Sequence, residues 1–122
     1  MTFKLIDPVP GRTNASRARM HQWIGGRVTC DFVEVQRGDS PALVTAHELG
    51  HVRRQHVGGH LCPEECRANL VQEAEAWRVG LADYRRANGG LSRKDKRVIR
   101  KYFRTYVRHL ASSRRRMAWG AR

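Results

Sequence analysis

The sequence predicts a single α+β domain: a small antiparallel sheet in its first third, followed by three main helices. Three observations carry this reading. Residues 3–6 and 27–36 are short apolar, β-branched or aromatic runs bounded by turn residues. From Ser40 onward, three segments each open on a cap or proline, and the first two close on paired glycines. At 122 residues, with 40% hydrophobic and 29% charged side chains, the chain suits one modest core rather than two domains.

Phe3–Ile6 reads as a strand closed by Asp7, Pro8 and Pro10, because proline cannot continue a ladder. Thr13 or Asn14 is placed to cap a short helix through Ala15, Ala18, Met20, Trp23 and Ile24, which Gly25-Gly26 would end. Arg27–Gln36 is the best strand, with Val28, Cys30, Phe32 and Val35 as its buried side. Ser40 as cap and Pro41 at the first helical position open a helix expected to run to about His56, with Gly58-Gly59 behind it. Pro63-Glu64-Glu65 opens the next, whose stripe Leu70, Glu73, Ala74, Trp77, Leu81 and Tyr84 ends at Asn88-Gly89-Gly90. Ser92 and Asp95 form a capping box for the last helix, whose core stripe is Val98, Ile99, Tyr102, Phe103, Tyr106, Val107 and Leu110.

Charge is distributed unevenly. Of the net +13, residues 91–122 hold 12 basic groups against Asp95 alone and carry +11, on one helix face and its tail. Such an excess points to a polyanion. Nucleic-acid backbone is the first expectation, an acidic substrate protein the second and a membrane surface the third. The N-terminus lacks the apolar run of a secretory signal, and no uncharged apolar stretch approaches a membrane span. The expected compartment is the cytoplasm, with no membrane span.

The chemistry lies in His47-Glu48-Leu49-Gly50-His51, an H-E-x-x-H pattern inside the first long helix. Residues four apart share a helix face with Cβ atoms about 5–6 Å apart, so both imidazoles can reach one zinc at about 2.0–2.1 Å. Glu48, beside them, is placed to act as general base toward a water on that metal. With 6 His in this composition, roughly 0.014 such patterns are expected by chance.

A working site needs a third protein ligand and an open position. Glu73 or Glu75 on the next helix can supply the ligand, as can His56 or His60. The extended pattern H-E-x-x-H-x-x-G-x-x-H fails, because Arg54 and Val57 stand where Gly and His are required. His56, His60, Cys62 and Cys66 fall within eleven residues and form a candidate second, structural zinc site, the alternative being plain thiols. Tyr84 and Arg78 are candidate donors to a developing oxyanion.

The segments Ala42–His51 and Glu73-Ala74-Glu75-Ala76-Trp77 resemble the ImmA/IrrE-like metallopeptidases, small gluzincins of phages, mobile elements and bacterial regulators. The resemblance covers roughly residues 27–82, with Trp77 where the family's E-x-x-A-N segment has Asn. It implies a minimal zincin-like fold over residues 1–122 and hydrolysis of a protein or peptide substrate. By the same resemblance His47, His51 and Glu73 would be the zinc ligands and Glu48 the catalytic base, with substrate lying along Arg27–Gln36. The competing expectation is a non-catalytic, basic nucleic-acid-binding module with a structural zinc.

Overall fold

The computed structural model describes residues 1–8, 10, 16–57 and 63–120, excluding the side chains of 63–69, 109, 110 and 112–120. Strands β1 (Thr2–Ile6), β2 (Arg17–Gln22) and β3 (Val28–Gln36) are followed by helices α1 (Pro41–Arg53), α2 (Pro63–Asn88) and α3 (Arg93–Gly120). The α+β class holds. No helix among the described residues is long and apolar enough to cross a membrane.

The sheet differs from expectation in two ways. Arg17–Gln22 is a strand, not a helix, and runs antiparallel to β3. Its sequence alternates Arg17, Ala18, Arg19, Met20, with Ala18 and Met20 half-buried and the arginines exposed, the period of a strand. Gly25 and Gly26, both at positive φ, turn the hairpin instead of ending a helix. Because β2 takes one edge of β3, β1 takes the other, where its direction is parallel. The sheet is therefore mixed rather than antiparallel.

A bulge explains which residues of β3 face the core. Arg19 pairs with Phe32 but Met20 pairs with Cys30, so Asp31 is the extra residue and the inward parity changes there. Val33 and Val35 are fully buried, and Cys30 packs on the same cluster. Phe32, expected inside, instead lies beneath the guanidinium of Arg17, 5.2 Å from the ring centroid.

Helix α1 ends at Arg53, three residues before the expected end. Gln55 adopts a left-handed conformation (φ 55°), and the His56 N–H donates to the His51 carbonyl at 3.0 Å, folding His56 back against the helix. Ser40 does not cap α1 with its side chain. It is itself left-handed, and its hydroxyl donates to Asp95 Oδ1 at 2.7 Å across the domain.

Helices α1 and α2 approach closely because each presents a glycine to the other's backbone. A Cβ on Gly50 would strike the Ala76 carbonyl oxygen, and one on Gly80 would lie 2.5 Å from the Ala46 carbonyl oxygen. Leu43, Val44, Ala76 and Trp77 are buried along this seam, which Val98 and Tyr102 of α3 close. The apolar stripe of α3 is only partly core, since Phe103 and Val107 are 38% and 62% exposed.

Asp95 ties α3 in place. It completes the capping box with Ser92, each backbone N–H donating to the other's side chain at 3.0 Å, and also accepts from the Ser40 and Tyr84 hydroxyls. Burial works against its charge, but the Ser92 N–H and the Ser40 and Tyr84 hydroxyls hold its carboxyl below the usual range.

A depressed carboxyl stabilises the fold above its unfolded pKa of about 3.9, and that contribution is lost as pH falls through the folded value. Urea titrations from pH 7 to 2.5 should therefore show a loss below about pH 4 that Asp95→Asn flattens. Asp95→Ala should cost about 2 kcal/mol at neutral pH. Gly80→Ala should cost about 1–3 kcal/mol in the same titrations, because the methyl must push α2 off α1.

Candidate metal centre

His47, Glu48 and His51 lie on α1 and Glu73 on α2, facing each other across the glycine seam. The helical repeat stacks His47 below His51, while Glu73, Ala76, Trp77 and Gly80 share the side of α2 that meets them. The Nε2 atoms of His47 and His51 are 3.3 Å apart, and Glu73 Oε2 is 2.9 Å from the first and 3.0 Å from the second.

These three atoms form a group that can hold a metal ion. Ligands of a tetrahedral zinc at about 2.0–2.1 Å are spaced about 3.3 Å from one another, so the triangle is close to one face of such a site. Two of the three, His47 and Glu73, line a cavity of about 510 Å³ together with Glu48, Tyr102 and Tyr106.

Neighbouring side chains hold each of the three in place. Glu73 Oε2 accepts from the Tyr106 hydroxyl at 2.8 Å, and the Trp77 indole N–H reaches the same hydroxyl at 3.4 Å. Trp77 also lies flat on His47, with ring centroids 4.1 Å apart and planes 21° apart. Stacking orients His47 where histidine ligands ordinarily use a hydrogen bond, for its Nδ1 is buried without a hydrogen-bond partner among the described residues. His51 is held by a chain of polar contacts. Its Nδ1 lies 3.0 Å from His56 Nδ1, His56 Nε2 lies 3.5 Å from Glu75 Oε2, and Arg54 pairs with Glu75. With His51 ligating through Nε2, its Nδ1–H donates to His56, which turns its own N–H toward Glu75.

The titrating groups respond to this arrangement in different directions. Burial pushes the His47 imidazole below its usual range, against the pull of Glu73, and burial and His51 do the same to His56. Burial works against the charge of Glu73, but hydrogen bonds from His47 and His51 hold its carboxyl far below the carboxylate range. For His51 burial opposes the charge, yet Glu73 holds it above the histidine range. Glu48, 4% exposed, is pushed up to about 7 by burial, despite His51 and a hydrogen bond from the Ala18 backbone.

The alternatives left open by spacing are now separated. Glu73 joins the two histidines; Glu75 points to Arg54 and His56 instead. His56 stands behind His51 rather than in the triangle. His60 and Cys62 lie outside the described residues, as does the Cys66 side chain, so the second zinc set has no structural account. Tyr84 is committed to Asp95, and Arg78 is an exposed residue that does not line the cavity; the donor at the triad is Tyr106. Strand β3, the expected substrate strand, is central with both edges paired, whereas β2 is an edge strand and reaches Glu48 through Ala18. Tyr106 was visible in the sequence only as part of an apolar stripe, and Gly50 only as a variable position of the motif.

The chain matches no protein-family model, and comparison with curated proteins and with solved structures finds no match.

If His56 fixes the tautomer of His51, His56→Ala should weaken zinc binding by about tenfold while leaving helix content unchanged. Competition against a chromophoric chelator, with circular dichroism alongside, checks this.

Proposed function

We propose that this protein is a zinc-dependent metallopeptidase that hydrolyses peptide bonds of a protein substrate. The observation that carries the reading is the His47–His51–Glu73 triangle, two of whose members line, with Glu48, a cavity large enough for a chain segment. Two imidazoles and one carboxylate are a ligand set suited to catalytic zinc, and the motif resemblance to ImmA/IrrE-like gluzincins supports the same assignment.

His47, His51 and Glu73 would hold the zinc, which would supply a Lewis acid and a water of lowered pKa. Glu48 is the general base. Its carboxyl lines the same cavity as His47 and Glu73, placed to take a proton and return it to the leaving amine. Tyr106 keeps Glu73 aligned by donating its one hydroxyl proton to Oε2. Trp77 and the His56–Glu75 pair hold the two imidazoles in orientation.

The competing reading is a nucleic-acid-binding module with a structural zinc. A structural site is closed by four protein ligands, whereas three ligand atoms converge here among the described residues and two of those residues line a cavity. The geometry therefore favours catalysis.

Elemental analysis of purified protein should find zinc that is lost in His47→Ala and Glu73→Ala but retained in Glu75→Ala. Glu48→Gln should keep the zinc and lower peptide release from denatured cell protein, followed by mass spectrometry, by about a hundredfold or more. Folded, metal-replete protein without zinc, or a fully active Glu48→Gln variant, would overturn the assignment.

A further inference from the structure

The basic face of α3 is not one surface. Arg97 and Lys101, one turn apart, line the cavity that contains His47, Glu48 and Glu73. Arg100 and Arg104 line a separate, shallow hollow with Ile99, Phe103, Val107 and Arg108. The helix therefore turns two of its cations toward the candidate active site and others away from it.

Neither Arg97 nor Lys101 has an ion-pair partner among the described residues, and both are exposed. Of the other charged groups around the cavity, Glu48 is a buried carboxyl without an ion-pair partner among the described residues, and the rest are paired. Arg37 pairs with Asp7 at 3.4 Å, Asp39 pairs with Lys94 at 3.8 Å, and Glu73 is engaged by two imidazoles and Tyr106. Two uncompensated cations thus share a cleft with the triad.

Resting on the peptidase reading, we propose that the substrate is an acidic peptide segment held extended along α3, with its carboxylates on Arg97 and Lys101. The spacing specifies positions. Tyr106 marks the triad end of the wall; at 1.5 Å per helical residue, Lys101 lies about 7.5 Å and Arg97 about 13 Å back along the axis. An extended chain advances about 3.3 Å per residue, so acidic side chains two and four residues from the cleaved bond meet the two cations. Residues two apart in an extended chain share a face, which lets both carboxylates turn toward α3 together. A nucleic-acid backbone would instead use the whole basic face, Arg100 and Arg104 included.

The test is fluorescence anisotropy with zinc-loaded, full-length Glu48→Gln protein, which binds without cutting. The probes are a fluorescein-labelled, end-blocked decapeptide with Glu two and four residues to one side of its central bond, the same peptide with Gln, and a twelve-residue oligothymidylate. The Glu peptide should bind at least tenfold more tightly than the Gln peptide. Adding Arg97→Gln/Lys101→Gln should remove that preference, and adding Arg100→Gln/Arg104→Gln should change it less than twofold. Equal binding of the two peptides, or equal losses from the two double variants, overturns the proposal. Tighter binding of the oligothymidylate that depends on all four cations also overturns it and assigns the face to nucleic acid. Zinc content of the same preparations reports on the peptidase reading separately: a zinc-bearing protein without the Glu preference rejects only the substrate class. A zinc-free protein that keeps the preference rejects only the metal chemistry.

Discussion

The close approach of α1 and α2 is the constraint on which the rest of this structure depends. Gly50 lies against the Ala76 carbonyl and Gly80 against the Ala46 carbonyl, leaving no room for a methyl group at either point. Only at that separation do the imidazoles of His47 and His51 come within 3.0 Å of the Glu73 carboxylate. A wider spacing would separate the Glu73 carboxylate from both imidazoles and lose two of its polar contacts. Packing and polar satisfaction therefore specify the same helix geometry, which is the consistency expected of a site built on rigid elements.

The third helix turns this helix pair into a cleft. Asp95 anchors its start to Ser40 at the head of α1 and to Tyr84 on α2. Tyr102 and Tyr106 then lie against Trp77, and the Tyr106 hydroxyl reaches Glu73. One face of α3 therefore does three jobs: Val98 and Tyr102 close the core, Tyr106 supports the metal-binding group, and Arg97 and Lys101 give the cleft its charge. The aromatic cluster also explains Trp77. Its ring covers His47, while its N–H serves Tyr106, so one large side chain links α1 to α3 across the seam.

Local chemistry made much of the helical part legible. The Ser92–Asp95 box, Pro41, Pro63 and the Asn88-Gly89-Gly90 stop are short-range signals, and each marks an observed helix end. Short elements were less legible, because six residues such as Arg17–Gln22 carry too few apolar side chains to separate a strand from a helix turn without their partner strand. The bulge at Asp31 likewise reverses an alternation pattern in a way visible only once β2 is paired. The turn at Gln55 carries no glycine to mark it, yet it brings His56 back to His51.

The sequence by itself determined the class of fold, the three long helices, and the pairing of His47 with His51, because four-residue spacing on a helix is a local property. Tertiary structure alone decided the rest of the site. Glu73 and Glu75 are two positions apart and so face about 200° apart around α2; which one meets the histidines depends on how Ala76 and Gly80 seat that helix against α1. The same holds for Tyr106 and for the division of the basic residues between cleft and outer face. Each is set by the rotation of one packed helix against another, which long-range contacts fix and sequence spacing does not encode.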